Sequence, residues 1–378
     1  MPGLAKRPIQ KRPLSITIDG RRASLGQLHL HSKLSRIRLR EAASKRGLSD
    51  YELRESGSAS DFNMLLGNIM YREMMEWFRT VPQDWMDYTR TVTVQDYRPR
   101  TLVLGSESPN LKFLGQNGQY EDSPVFDRYF QVQVTKWGEL FRINRTVIIN
   151  DDLNYIQRQP ERFGRAAART LSTFVPQNIL EGNPLTFDGQ TLFSTAHPAG
   201  SYGTYSNSFS GGGSTWGIPA IKASLAAMNV AHSFDGTLRP VDPSLVIGPP
   251  VLKWDIFNTL HSSAVVAAGG QTPDVLFPNG NPLMYIEQPL TPVIDRYLTN
   301  QTAWYLMVDP NDIASVIVAF LQGNERPYVG VQIPATYAAA GGGDDPFGID
   351  FDDLTYKVRY EFGGTAGFHL GVSRNAGV

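Results

Sequence analysis

Apolar positions along the chain change their period several times, and each change marks an element. Residues 1–27 contain Pro8 and Pro13 and no sustained period, so they read as an extended arm. Between Leu28 and Arg46 the signal is mixed. Leu30, Leu34 and Ile37 fit a helix, the alternation Arg36-Ile37-Arg38-Leu39-Arg40 fits a strand, and length favours the helix. After the small polar run Ser56-Gly57-Ser58-Ala59-Ser60, the positions Leu66, Ile69, Met70, Met74 and Trp77 predict an amphipathic helix from Asp61 to Arg79, with Pro82 beyond its end. The period then shortens. Thr91 to Val94 and Leu102 to Leu104 are β segments, a stretch rich in Gly, Asn and Ser follows, and Phe130-Gln131-Val132-Gln133-Val134 alternates strictly. A two-stranded excursion of this kind is marginal alone and has to lie against another surface.

A further apolar strand opens at Phe141 and stops at Asn150-Asp151-Asp152-Leu153. Asn150 or Asp151 offers a helix cap there, while Pro160, tolerated in a first turn, sets the expected helix start. Phe163, Ala167, Leu171, Phe174 and Ile179 form one stripe from Pro160 to Leu180. At about 1.5 Å per residue that helix is about 30 Å long, and Pro176 is expected to bend its last turn. Residues 199–216 read as a loop, Pro219 to Val230 as a helix, Leu245-Val246-Ile247 as a buried strand and Lys253 to Ser262 as a helix. Beyond a Gly/Pro-rich loop from Gly269 to Pro282 come strands at Tyr285-Ile286 and Trp304 to Val308, then an apolar run from Ile313 to Leu321. Leu354 to Phe362 alternates as a strand, and Phe368 to Val372 is the last one expected. This mixture predicts a compact α/β subdomain within the chain.

Composition narrows the function. With 378 residues, 41% hydrophobic and 19% charged, the chain can bury a large core and is not a disordered protein. The lack of cysteine removes disulfides, zinc-thiolate sites, iron-sulfur clusters and thiol nucleophiles, and fits an intracellular folding compartment. No run reaches the roughly 20 apolar residues of a membrane span, and the first residues lack the apolar core of a signal peptide, so the chain reads as soluble. The formal charge of −1 conceals an asymmetry: residues 1–54 hold thirteen basic and four acidic side chains, leaving ten excess acidic charges in the remainder. Such an arm, with Lys6, Arg7, Lys11, Arg12, Arg21 and Arg22 near its start, suits nucleic acid or an acidic scaffold; a solvated tail is the plain alternative.

Catalytic motifs are missing: no Walker loop, dinucleotide turn, nucleophile elbow or zincin helix occurs. Asp151, Asp152, Asp188 and His197 are the best acid and base candidates, because a carboxylate orienting an imidazole is a recurrent catalytic pair. A helix cap for Asp151, a turn for Asp188 before Gly189 and a buried hydrogen-bonded His197 account for them without chemistry, since no nucleophile or second His is expected nearby. The run Asp344, Asp345, Asp350, Asp352 and Asp353 lacks EF-hand spacing, and His29 with His31 gives too few ligands, so no metal and no cofactor is expected. Trp77, Trp85, Trp137, Trp254 and Trp304 read as core.

Several segments in order resemble the major capsid proteins of tailed bacteriophages with the Hong Kong 97-type fold, in the group of Mu-like head subunits and ClpP-protease-associated capsids. They are Ser60-Asp61-Phe62 with Leu65-Leu66-Gly67-Asn68; Asp96-Tyr97-Arg98; Arg145 to Leu153; Phe163 to Arg169; Asp188 to His197; and Lys357 to Gly363 closing on Arg374-Asn375-Ala376-Gly377. The resemblance implies an α+β fold divided as follows: a basic arm (1–60), the start of a peripheral subdomain (61–101), an extended β-hairpin loop (102–136), the peripheral subdomain with a spine helix at 160–180 (137–215), an axial subdomain (216–324) and return strands (325–378). It implies a non-enzymatic subunit forming pentamers and hexamers of an icosahedral shell around double-stranded DNA, assembled in the host cytoplasm and located in the virion. Portal, scaffold and decoration proteins are the implied partners, with no membrane. Lys112, Phe113, Tyr120 and Phe126 fall in the loop that would reach a neighbouring subunit. No Asn partner or activating Glu justifies carrying over the Lys-to-Asn crosslink of one branch. An encapsulin-like nanocompartment shell is the alternative of the same fold, and a hydrolase using Asp151, Asp188 and His197 the alternative of another class.

Overall fold

The computed structural model describes residues 16–18, 21–23, 71–105, 113, 127–144, 155–262, 281–286, 288–331 and 353–377. Strands β1 (Ile16–Ile18) and β2 (Arg21–Ala23) pair antiparallel, so the arm read as extended contains a short hairpin. The sequence signal for it is Asp19-Gly20, a favoured two-residue link between strands. The expected helix at Leu28 to Arg46 lies outside the described residues. Helix α1 covers residues 71–80 and ends before Pro82 as its period predicts, and the expected start at Asp61 is likewise outside.

Strand β3 (Arg90–Val94) leads into β4 (Arg100–Gly105), which pairs antiparallel with β5 (Asp127–Val132) from Arg100↔Val132 to Gly105↔Asp127. This is the expected ribbon, and β6 (Thr135–Asn144) follows it. Helix α2 runs from Tyr155 to Val175, five residues earlier at its start than Pro160 suggests. Pro160 lies one turn inside, where its missing N–H forfeits a single bond and the rest of the ladder continues. At the other end Pro176 opens a π-helical turn, Pro176–Glu181, because a ring without an N–H forces the hydrogen-bond ladder into a wider register.

The stretch expected as loop at 199–216 contains short strands. After β7 (His197–Pro198) come β8 (Thr204–Tyr205), its antiparallel partner, and β9 (Ser208–Phe209). Helix α3 (Ile218–Asn229), strand β10 (Leu245–Gly248) and helix α4 (Lys253–His261) fall where their periods predict. Tyr285 closes a 3-10 turn, Pro282–Tyr285, in place of the expected strand. Next come β11 (Thr291–Ile294), which the sequence reading missed, β12 (Trp304–Met307), β13 (Val316–Leu321) and β14 (Tyr328–Val331). Strand β15 (Asp353–Ala366) is longer than its alternation indicated, and the last strand begins at Val372, not Phe368: residues His369–Gly371 form a 3-10 turn before β16 (Val372–Asn375).

The chain is of the α+β class and separates into two compact units. One comprises 1–77, 139–164 and 329–358, and within it Phe141 meets Phe163 edge-on at 5.7 Å. The other comprises 78–138, 165–328 and 359–378. It holds a five-stranded sheet in the order β11-β10-β12-β16-β9, with β10 and β12 antiparallel at its centre. Among the described residues β11 forms one edge, where Pro292 can sit without breaking a ladder on both sides. The core on this sheet gathers Ile221, Met228, Val246, Ile256, Trp304, Leu306 and Leu370. Trp304 is fully buried, packs edge-on against Trp216 at 4.9 Å and donates its indole N–H to the Ser214 carbonyl at 2.9 Å. Two tryptophans read as core are not: Trp137 is 38% and Trp254 71% exposed.

A second sheet runs β14-β15-β13-β3, with β6 also paired to β15. Strand β13 is parallel to β3 and antiparallel to β15, and is buried along its whole length, which its unbroken apolar sequence requires. Val94, Val132, Val134, Ala319 and Leu321 close a small cluster on it, with Leu102 of the ribbon against them. Gly363 and Gly364 permit the closest approaches: a Cβ on Gly363 would stand 1.9 Å from the Gln133 carbonyl oxygen, and one on Gly364 would stand 2.8 Å from Ile179. The Gln133 contact is backbone and cannot yield by a rotamer change. Gly363→Ala should therefore lower stability by about 1–3 kcal/mol, as overpacking does, without changing the slope of a urea melt.

Candidate functional site

The polar cluster noted in the sequence assembles around a turn. Gly189, at φ +79°, lets the chain reverse after Asp188. Asp188 Oδ1 accepts from the Gln190 N–H at 3.0 Å and from the Thr186 hydroxyl. Its other oxygen faces His197 Nδ1 at 2.7 Å. His197 Nε2 lies 3.2 Å from Asn207 Oδ1. The orientation of Asn207 is set by its own partners: Nδ2 donates to the carbonyls of Leu192, His369 and Val372 at 2.8, 3.1 and 3.1 Å, and Oδ1 also accepts from the Ser194 N–H at 2.9 Å. Both nitrogens of His197 therefore face side-chain oxygens, one of Asp188 and one of Asn207. One turn upstream, Asn183 treats Phe193 in the same way, its amide exchanging two hydrogen bonds with the Phe193 backbone at 2.7 and 3.0 Å.

His369 completes the cluster from the far end of the chain. Its ring lies on that of His197 with centroids 3.8 Å apart and an interplanar angle of 2°, and Nδ1 is 3.7 Å from Asp188 Oδ2. The Phe187 ring covers its other face at 5.6 Å. His197 and His369 are fully buried. Among the described residues, neither nitrogen of His369 has a hydrogen-bond partner. Burial, reinforced by the charge on His197, pushes His369 down to about 3 against the pull of Asp188, so this ring is neutral at ordinary pH. For Asp188, burial raises the carboxyl, but the hydrogen bonds from His197, Thr186 and the Gln190 N–H, with the nearby His369, hold it at about 2.

The arrangement limits the chemistry available. A general base needs a ring nitrogen with a lone pair directed at an accessible proton, whereas both nitrogens of His197 are engaged inside the core. Asp188, His197 and His369 place ligand atoms within 4.8 Å of one another, as a metal site would. The two imidazoles are parallel and stacked, however, so their in-plane lone pairs do not converge on one ion. What the cluster does is join segments: the 183–207 region and the C-terminal turn and strand meet in one set of hydrogen bonds.

Of the residues singled out in the sequence, the structure brings Asp188 and His197 together. Asp151, Asp152, Lys6, Arg7, Lys11, Arg12, Lys112, Tyr120 and Phe126 lie outside the described residues, as do His29, His31, Asp344, Asp345, Asp350 and Asp352. Arg21 and Arg22 lie in β2, and Phe113 is 96% exposed. The expectation of no second His near His197 is corrected by His369, whose one sequence signal was a polar residue within the apolar run Phe368 to Val372. Asn207 gave no signal inside a Gly/Ser-rich segment.

A second constellation, also missed, fixes the root of the ribbon. The Tyr97 hydroxyl, between β3 and β4, donates to Glu361 Oε1 of β15, which Arg359 Nε also approaches at 3.1 Å. Gln133 Nε2 donates to the Tyr97 carbonyl at 3.1 Å, and Lys136 Nζ stands 5.2 Å over the Tyr97 ring. Further out, Val103 and Tyr129 are cross-strand partners, 67% and 66% exposed.

A family model described as phage capsid protein matches residues 129–375. Solved structures are similar at low identity. A chain from Mycobacterium phage Adephagia shares 13% identity at a TM-score of 0.47, over 77% of this chain and 88% of that one. The capsid of bacteriophage JBD30 shares 11% at a TM-score of 0.44, over 79% and 66% respectively. A chain from Microbacterium phage Oxtober96 shares 12% at 0.41, over 75% and 84%. Comparison with curated proteins finds no match.

The buried cluster has a measurable pH signature. With His369 held below its ordinary value, the unfolded chain binds more protons between pH 6.5 and about 3, so stability is lost as pH falls through that window. Asp188 acts in the same direction below its ordinary 3.8. Urea melts from pH 7 to pH 4 should show stability falling by up to about 1.4 kcal/mol per pH unit. His369→Phe, which keeps the stacked ring, should flatten that dependence; an unchanged slope in the variant would remove His369 as its source.

Proposed function

We infer the function from one premise: the chain belongs to the phage capsid protein family. On that premise we propose that it is the major subunit of a tailed-phage head of the Hong Kong 97 type, non-enzymatic, forming pentamers and hexamers of an icosahedral shell around double-stranded DNA. The virion shell is its location, and the host cytoplasm the place of assembly. Portal, scaffold and decoration proteins are the proposed partners besides further copies of the chain.

The observation that carries this reading is the ribbon. Strands β4 and β5 are rooted by Tyr97 and Glu361 but expose the Val103–Tyr129 pair, and a ribbon of two strands gains stability from whatever covers that face. In a closed symmetric assembly each copy covers a neighbour and is covered in turn. On this reading 102–136 is the loop reaching over the adjacent subunit, α2 is the spine, 216–324 the axial subdomain, and 61–101 with 137–215 and 325–378 the peripheral one. Many modest interfaces of this kind cooperate because each new contact is made at high effective concentration.

Electron microscopy and sedimentation velocity of the purified chain test this directly, with shells, tubes or hexameric rings expected. Deleting Gly105 to Pro124 should leave a folded, soluble subunit that no longer forms stable shells; normal heat-resistant shells from that deletion would refute the role given to the ribbon. For the arm, replacing Lys6, Arg7, Lys11 and Arg12 by Gln should weaken salt-sensitive binding to DNA or to an acidic scaffold. Unchanged binding would assign the arm to contacts between subunits.

A further inference from the structure

We propose that Arg374 and Tyr305 form a carboxylate-binding site on the face of the five-stranded sheet opposite the large apolar core. Sheet register builds it. Tyr305 of β12 pairs directly with Arg374 of β16, and Arg374 in turn with Ser208 of β9, so the three residues stand in one row across neighbouring strands. Directly opposed Cβ atoms of an antiparallel pair are about 4.5–5.5 Å apart. Trp304 and Leu306, on either side of Tyr305, belong to the large core, and Asn375, next to Arg374, bonds Ser224 of α3. Alternation along the strands therefore puts Tyr305 and Arg374 on the other face. There Phe193 packs on the Tyr305 ring at 5.3 Å.

Both groups are donors that lack an acceptor. Tyr305 is fully buried, and its hydroxyl has no hydrogen-bond partner among the described residues. Arg374 is half-buried, and its Nε is sealed from water and equally without a partner among them. A buried donor left unmade carries its full desolvation penalty, larger still for a charged group. A guanidinium offers five N–H donors and accepts nothing, so only an acceptor satisfies it. Glu181, the carboxylate whose field reaches Tyr305, is already engaged: its oxygens accept from the Thr299 N–H, the Thr299 hydroxyl and the Asn300 N–H, each at 2.7 Å. Burial raises the Tyr305 phenol against the pull of Arg374, so the hydroxyl keeps its proton and can donate it in a hydrogen bond.

These features select a planar monoanion. The fork of a guanidinium meets a carboxylate with two parallel hydrogen bonds, and the phenol supplies a third from the adjoining strand. One positive charge balances one negative charge, whereas a phosphate dianion brings a second charge into the field of Glu181. Two sources offer a carboxylate: an acidic side chain of a second copy of this chain, and a free carboxylate ion. Beyond residue 54 the chain carries ten excess acidic charges, so a second copy has many such groups to present. The inference rests on the capsid reading for that source alone.

Sodium acetate is the probe. Urea melts of the full chain, unaltered and as R374Q and Y305F, are recorded from about 1 to about 100 mM acetate against chloride at matched ionic strength, because a ligand of the folded state adds stability with the logarithm of its concentration above Kd. Sedimentation velocity assigns each sample to free subunits or shells. In free subunits the midpoint should climb along that logarithmic curve for the unaltered chain and stay level for R374Q. Y305F should weaken the apparent affinity about tenfold, as loss of one hydrogen bond to a charged group does. In chloride Y305F should be no less stable than the unaltered chain, since it removes a hydroxyl without a partner. Shells that ignore acetate, with R374Q unable to form them, identify a neighbouring copy as the source; shells that respond as free subunits do identify a free carboxylate. Shells that ignore acetate while R374Q still forms them overturn the proposal. A linear rise equal in all three forms is a general effect of the salt and overturns it too, as does no rise in free subunits. An equal or larger response to inorganic phosphate removes the assignment to a carboxylate. Where R374Q does not fold, Y305F decides, and an unchanged acetate affinity in it overturns the site. A chain that takes acetate as expected but forms no shells or rings counts against the capsid reading and leaves the site standing.

Discussion

Withdrawing a carboxylate from water costs several kcal/mol unless it finds its partners inside the protein. Asp188 meets that condition through groups near and far in sequence: a hydroxyl and an N–H from its own turn, His197 with the Asn207 amide behind it, and the neutral His369 ring stacked on His197. A well-packed apolar group would stabilise the same volume as well or better. What the buried carboxylate and its partners add is an all-or-none condition. If the 183–207 segment or the C-terminal turn is displaced, a buried charge loses its partner, so incorrect registers are penalised far more than an apolar contact would penalise them. Asn183 and Asn207 extend the constraint by acting as substitute peptide groups, satisfying backbone donors and acceptors where the chain is too irregular for a sheet.

Much of the fold was legible because its signals are local. The spacing of Phe163, Ala167, Leu171 and Phe174 is enough to predict α2, and the alternation at Phe130 to Val134 is enough to predict one side of the ribbon. The errors occur where local signals compete or vanish. Pro160 is compatible with a first turn and with one turn further in, so it could not date the helix start. Strand β11 is four residues with a proline among them, and β9 only two residues in a Gly/Ser-rich segment; neither has a period to detect. At the buried site, Asp188 and His197 sit nine residues apart and share one turn signal, whereas His369 and Asn207 arrive through sheet topology, which one-dimensional spacing does not encode. Trp254 shows the converse: a large apolar residue raises the expectation of burial, yet this one is 71% exposed.

The same molecule combines a closely packed core with large apolar side chains open to solvent. Gly363 admits backbone at a distance no side chain would allow, and β13 has no exposed residue. Yet Val103, Tyr129, Val251 and Trp254 remain open to solvent. A rigid interior transmits the placement of one surface element to another with little loss, because close-packed cores deform poorly. The root of the ribbon illustrates this, since Tyr97 is bonded to β15, the strand that also flanks β13.

Pro292, at the edge of the β11-β10-β12-β16-β9 sheet among the described residues, carries a consequence for growth. An exposed strand edge invites head-to-tail addition of further chains, and addition of that kind has no natural end. With a proline in the middle of its four residues, β11 lacks an amide hydrogen where such a polymer would need one. Fibre formation through this edge is thereby starved of a repeating bond even when chains are crowded together, and the crowded state can resolve into particles of finite size.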